Sequence, residues 1–253
     1  MDLKKNNIKS GLLVDLDGTL LKEHDVISET VSTDLRRLNK ILPISIVSGR
    51  GPNDVLKFSK LLDFKGPQYC ENGSRIIDGL TGGLISEKLI PYDSASYIYD
   101  VIKKSKAGCI LVANGETQKD PLEISSKISS LLAYSKIEDE LTVVEKTLED
   151  HQGVISIKSI DENGYFFLNY HRKDSGKHTA VDHFCNFYRI LPEYIFAIGD
   201  GMNDLLMLRK CGHSIAMGNA SNLVKNEATF VTDTIENDGV SKSINDYILP
   251  NFL

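Results

Sequence analysis

The sequence predicts an α/β protein: a doubly wound, Rossmann-like parallel sheet with an inserted α+β domain. Short apolar runs recur, each ended abruptly by a small polar or acidic residue, as in Leu12-Leu13-Val14 before Asp15, Ile44 to Val47 before Ser48, and Ile195 to Ile198 before Gly199-Asp200. Amphipathic helical patterns separate these runs, the alternation expected of parallel strands covered on both faces. The middle of the chain breaks this rhythm and carries hairpin-like and antiparallel patterns instead.

In chain order, Leu12 to Val14 reads as a buried strand, followed by a helix on Val31, Leu35, Leu38 and Leu42 that Ser28 can cap. Ile44 to Val47 is the second strand, and Pro52 suits the first turn of a helix carrying Val55, Leu56, Ser59 and Leu62. Ser74 to Ile77 and Leu84 to Ser86 flank a glycine-rich turn at 78–83. Helical patterns are read near Ser94 to Lys104 and from Leu122 to Leu132, with a strand at Cys109 to Val112 between them. Val154 to Lys158 and Tyr165 to Tyr170, joined by Ile160 to Gly164, read as an antiparallel pair. The outer pattern then resumes. A helix carries Val181, Phe184, Cys185 and Tyr188, the strand Ile195 to Ile198 follows, and Leu205 to Cys211 is helical. Two further strands, Ser214 to Met217 and Ala228 to Thr232, precede a closing helix from Val240 to Leu249. This divides the chain into an outer domain, residues 1–79 and 173–253, and an inserted domain, residues 80–172, both of ordinary size.

The chain has 253 residues, 41% hydrophobic and 25% charged, which excludes disordered and fibrous classes. Its 29 basic and 35 acidic residues give a net charge of −6, and no Lys/Arg block marks a nucleic-acid or membrane-surface partner. No apolar run approaches the roughly 18 residues of a membrane span, and the polar start does not resemble a signal peptide, so a cytoplasmic location is expected. Cys70, Cys109, Cys185 and Cys211 lack C-x-x-C spacing and read as buried reduced thiols.

Chemistry gathers at the strand ends. Asp15 and Asp17, one residue apart in extended chain, lean to one side, and Gly18 then lets the backbone turn away. An EF-hand loop is excluded, because Leu20 and Val26 stand where glycine and glutamate are needed. Asp200 and Asp204, with the amide of Asn203, form a second oxygen-rich set suited to Mg²⁺, and a dinucleotide fingerprint fails because Asp204 replaces its last glycine. Ser48-Gly49-Arg50 precedes a helix and can cradle an anion. Lys177 begins a helix, a position the helix dipole disfavours for a cation unless an anion lies beside it. Two like charges about 4 Å apart cost roughly 4 kcal/mol at an effective dielectric of 20, so four carboxylates gathered at one rim require cations. His171, Arg172 and Lys173 read as a solvated linker, with contact to a substrate anion as the alternative.

Asp15-Leu16-Asp17-Gly18-Thr19-Leu20, Ser48-Gly49-Arg50, Lys177 and Gly199-Asp200-Gly201-Met202-Asn203-Asp204 resemble, in order, the four signatures of the haloacid dehalogenase superfamily of phosphatases. Glu71-Asn72-Gly73 and Asp238-Gly239-Val240 are similar to segments of its large-cap branch, which includes Cof-type, sucrose-phosphatase-like and archaeal phosphoglycolate phosphatase-like enzymes. The resemblance implies a Mg²⁺-dependent phosphatase acting on a small phosphomonoester such as phosphoglycolate or a sugar phosphate. It makes Asp15 the nucleophile that forms an aspartyl phosphate and Asp17 the general acid and base. The metal would be held by Asp15, the backbone carbonyl of Asp17 and Asp200, with Asp204 as a further ligand or an orienter through water, and the substrate by Ser48, Gly49, Arg50, Lys177 and Asn203. The inserted domain would be a cap that closes over the site and selects substrate. A phosphomutase using the same aspartyl phosphate, or a non-catalytic phospholigand sensor, are the alternatives.

Overall fold

The computed structural model describes residues 10–22, 25–124, 126–160 and 163–252. The chain divides into two compact units, one running to Ile85 and resuming at Lys177, the other Ser86–Gly176, rather than at the expected 80 and 172. In order, β1 (Gly11–Val14), α1 (Glu29–Leu38), β2 (Ile44–Ile46), α2 (Pro52–Leu61), β3 (Pro67–Cys70), β4 (Arg75–Asp78) and β5 (Leu84–Glu87) come first. The inserted unit holds α3 (Tyr92–Lys104), β6 (Gly108–Ala113), β7 (Glu116–Lys119), β8 (Ile128–Ser135), α4 (Glu138–Leu148), β9 (Val154–Ile160) and β10 (Phe166–Arg172). The chain then returns through α5 (Lys177–Tyr188), β11 (Ile195–Gly199), α6 (Leu205–Lys210), β12 (His213–Ala216), α7 (Asn222–Glu227), β13 (Phe230–Val231), α8 (Gly239–Ser243) and α9 (Leu249–Phe252).

The outer sheet has the order β13-β12-β11-β1-β2, and all its pairs are parallel. From β1 the chain winds outward to β2, and from β11 it winds the opposite way to β12 and β13. The strand order therefore reverses between β1 and β11, and the crevice beyond the carboxyl ends of two such strands is where open α/β sheets bind ligands. Period-2 alternation sends Leu12 and Val14 to the face packed with Val31, Leu35, Phe58 and Ile244, while Leu13 joins Val181, Phe184 and Met207 on the other. Both faces are covered, which is why these strands read as continuous apolar runs. Ser28 caps α1 by accepting from the Val31 N–H, and Pro52 opens α2. The expected closing helix is α8, a π-helical turn at Ile244–Ile248, and α9.

In the inserted unit an antiparallel sheet, β7-β6-β8-β10-β9, packs Leu111, Leu131, Ala133, Leu168 and Tyr170 against Ile98 and Ile102 of α3 and Val144 and Leu148 of α4. The helix expected from Leu122 to Leu132 is not there. Leu122 is 95% exposed and β8 runs as a strand between β6 and β10. The spacing of Ile124, Ile128 and Leu131 imitates a helical stripe, but pairing on both edges decides for strand. The helix of this region is α4, whose Leu141, Val144 and Leu148 face the core and whose first turn is acidic, a pattern the sequence did offer. β9 and β10 form the expected antiparallel pair, and residues 161–162 of its connection lie outside the described residues. His171 departs from the linker reading: it sits inside β10, paired between Ser130 and Ile155, and is fully buried. Among the described residues no helix is long and apolar enough to cross a membrane.

Candidate active site

The carboxyl ends of β1 and β11 carry Asp15 and Asp200, and the parallel register that sets Val14 opposite Ile198 brings these two residues to the same rim. The Asp15 N–H donates to the Ile198 carbonyl at 3.1 Å, locking the start of the loop. Asp204 lies at the start of α6, completely buried. One carboxylate oxygen from each of Asp15, Asp200 and Asp204 can be chosen so that all lie within 4.8 Å of one another. Gly18, at φ +74°, makes this approach possible, since a Cβ there would stand 2.3 Å from Oδ2 of Asp200.

Lys177, the first residue of α5, is buried with its Nζ 2.7 Å from Oδ1 of Asp15 and 2.7 Å from Oδ1 of Asp204. These two carboxylates offset the unfavourable dipole position noted in the sequence. Oδ2 of Asp204 accepts the N–H groups of Asp200 at 3.1 Å and Gly201 at 2.9 Å. Asp200 accepts from the Thr19 hydroxyl at 3.2 Å.

Three carboxylates share one ammonium, and the protonation equilibria register the excess negative charge. Burial, then the charge of Asp204, pushes the Asp15 carboxyl well above the usual carboxylate range against the pull of Lys177. The same two causes raise Asp200 to about 6. Burial alone would pull Lys177 down, but the charges of Asp15 and Asp204 overcome it and hold the ammonium form. An oxygen-only donor set with surplus negative charge fits a hard divalent cation.

Ser48 follows β2 and is completely buried, and its hydroxyl oxygen accepts the Arg50 N–H at 3.1 Å, leaving the hydroxyl proton to donate elsewhere. Asn203 lies in the loop before α6 and donates from Nδ2 to Oδ1 of Asn72 at 3.3 Å. Asp17 and Arg50 stand apart from the buried cluster. The Asp17 carboxylate is 56% exposed and takes two donors from Arg50, with Nη2 at 2.6 Å and Nε at 2.9 Å from Oδ1. Nη2 also reaches Asp25 at 2.6 Å. The Arg50 guanidinium is thus committed to two carboxylates rather than offered to a substrate anion. Sequence reading missed Asp25 and Asn72 as neighbours of the site; Asn72 lay within a noted segment but carried no role.

The family profile described as haloacid dehalogenase-like hydrolase matches residues 12–119 and 113–244, nearly the whole chain. The chain belongs to the haloacid dehalogenase-like hydrolases. Within them it is a Cof-type phosphatase, a phosphomonoester hydrolase. It is 27% identical to a Bacillus subtilis protein named 5-amino-6-(5-phospho-D-ribitylamino)uracil phosphatase YwtE, over 91% of this chain and 95% of that one. It is 26% identical to a phosphoglycolate phosphatase of Methanopyrus kandleri, over 91% and 93% of the two chains. The solved structure of a haloacid dehalogenase-like hydrolase from B. subtilis superposes with a TM-score of 0.83 at 20% identity, covering 94% of this hydrolase and 99% of its counterpart.

Proposed function

We propose that this hydrolase cleaves a small phosphomonoester, phosphoglycolate or a sugar phosphate, through an aspartyl phosphate on Asp15 with Mg²⁺ bound nearby. The observation that carries the reading is the buried Asp15 carboxylate, one oxygen held by Lys177 in a cluster with Asp200 and Asp204. Asp15, Asp200, Asp204 and the backbone carbonyl of Asp17 would hold Mg²⁺, which when bound supplies positive charge to offset that of the transferring phosphoryl group.

The free oxygen of Asp15 attacks phosphorus and forms the acyl phosphate as the ester P–O bond breaks. Asp17 gives its proton to the leaving oxygen. Asp17 then takes a proton from the water that attacks phosphorus, and the bond to Asp15 breaks to release inorganic phosphate. Either role requires the pairing of Asp17 with Arg50 to open. Lys177, Ser48, Asn203 and the Gly49 N–H donate to the phosphoryl oxygens, positioning that is most of what a protein contributes to this reaction. We assign substrate choice to the inserted unit.

Phosphoglycolate, sugar phosphates and 5-amino-6-(5-phospho-D-ribitylamino)uracil form the natural test panel, given the names of the two relatives. The expected result is Mg²⁺-dependent release of inorganic phosphate without a bisphosphate activator, abolished by EDTA and by Asp15→Asn. Transfer to a second substrate hydroxyl in place of phosphate release would make the chain a mutase.

A further inference from the structure

Glu71, Asn72 and Gly73, between β3 and β4, have φ of 51°, 55° and 84°, three consecutive residues in the left-handed region. Two are not glycine, so the turn is held against its intrinsic preference, and strain of this kind persists where the surroundings over-determine it. The Glu71 N–H donates to the Arg50 carbonyl at 2.9 Å and the Asn72 N–H to the Ser48 carbonyl at 2.8 Å. A buried ion pair from Glu71 to Arg75, 3.1 Å long, secures the turn from the other side.

The side chain of Asn72 is buried, bonded to one loop and lying beside another. Its Oδ1 accepts from Asn203, 131 residues away in sequence, at 3.3 Å. Its amide is also the nearest group beside Gly49, where a Cβ would lie 3.4 Å from it. We propose that Asn72 is a positioning residue that fixes the Ser48–Gly49–Arg50 loop and Asn203 at the spacing needed to hold one phosphoryl group. The inference rests on the reading of the site given above.

Asparagine unites two properties here: it tolerates the left-handed backbone, and its amide ties Asn203 in place. Glycine at this position satisfies the first and lacks the second, which makes Asn72→Gly the informative variant. It keeps the melting temperature of the parent while kcat/KM falls about tenfold or more, because small displacements of positioning groups are costly in rate. The loss includes a raised KM and weaker competitive inhibition by inorganic phosphate. In the Asn203→Ala background the same substitution adds little, since both remove one link.

Asn72→Gly within about twofold of the parent kcat/KM, or effects of the two substitutions that simply multiply, overturns the inference. Asp15→Asn, assayed in parallel, separates the two levels. Turnover lost in Asp15→Asn beside a fully active Asn72→Gly removes this inference alone, whereas turnover retained in Asp15→Asn removes the site reading beneath it.

Discussion

In the outer unit, buried Asp15, Lys177 and Asp204 are tied to one another by contacts of 2.7 Å, and Asp204 accepts two backbone N–H groups besides. In the inserted unit, His171 and Tyr170 are buried as deeply, yet among the described residues both ring nitrogens and the phenol oxygen find no hydrogen-bond partner. The difference lies in charge. Burial pulls the His171 imidazole down to about 4 and pushes the Tyr170 phenol up, so both side chains are neutral at pH 7 and the cost of leaving them unpaired is small beside that of an unpaired buried charge. Charged groups cannot be buried on such terms. Asp15 and Asp204 are tolerated in the interior because Lys177 lies between them, and Lys177 because they flank it.

The largest effect follows from breaking the paired cluster. Lys177→Met leaves carboxylates buried without their cation, and denaturant unfolding should show a loss of about 3–5 kcal/mol together with loss of turnover. A loss below about 1 kcal/mol would mean that the cluster relaxes to water and is not held as described.

The next effect is a pH dependence set in the inserted unit. His171 is neutral when folded down to about 4, while the imidazole of the unfolded chain takes up a proton below its ordinary value of 6.5. At this residue the unfolded state therefore binds more protons in that window, and the His171 contribution to stability falls as pH drops from 6.5 toward 4, by up to roughly 3 kcal/mol, while the raised Asp15 and Asp200 carboxyls act with the opposite sign. His171→Leu should remove this component from unfolding curves measured across the window; an unchanged pH dependence would contradict it. Tyr170→Phe should have the smallest effect. Removing an unpaired buried hydroxyl should change stability by less than about 0.5 kcal/mol, or raise it slightly.

The strand ends bearing Asp15, Ser48 and Asp200 were legible because a fully covered parallel strand is apolar until it stops, and the residue that stops it stands at the rim. Lys177 was legible as a conflict with the helix dipole, a local rule broken where two distant carboxylates supply the remedy. Asn72 was not, since its left-handed turn is held by bonds to the Ser48 and Arg50 carbonyls, contacts with a different loop that local spacing does not announce. Nor was the commitment of Arg50 to Asp17 and Asp25, because a basic residue beside an anion loop reads equally well as a substrate ligand. In the inserted unit β8 misled the reading through periodicity alone, and α4 was overlooked although its apolar spacing and acidic first turn were present.

The central claim is that Asp15 itself accepts the phosphoryl group. Mixing the Mg²⁺-loaded enzyme with a ³²P-labelled substrate found in the panel, quenching in acid within the first turnover and mapping the labelled peptide tests it directly. The account predicts acid-stable label on the peptide containing Asp15 and none in Asp15→Asn. Phosphate released at full rate with no label on the enzyme, or label on another residue, would contradict it.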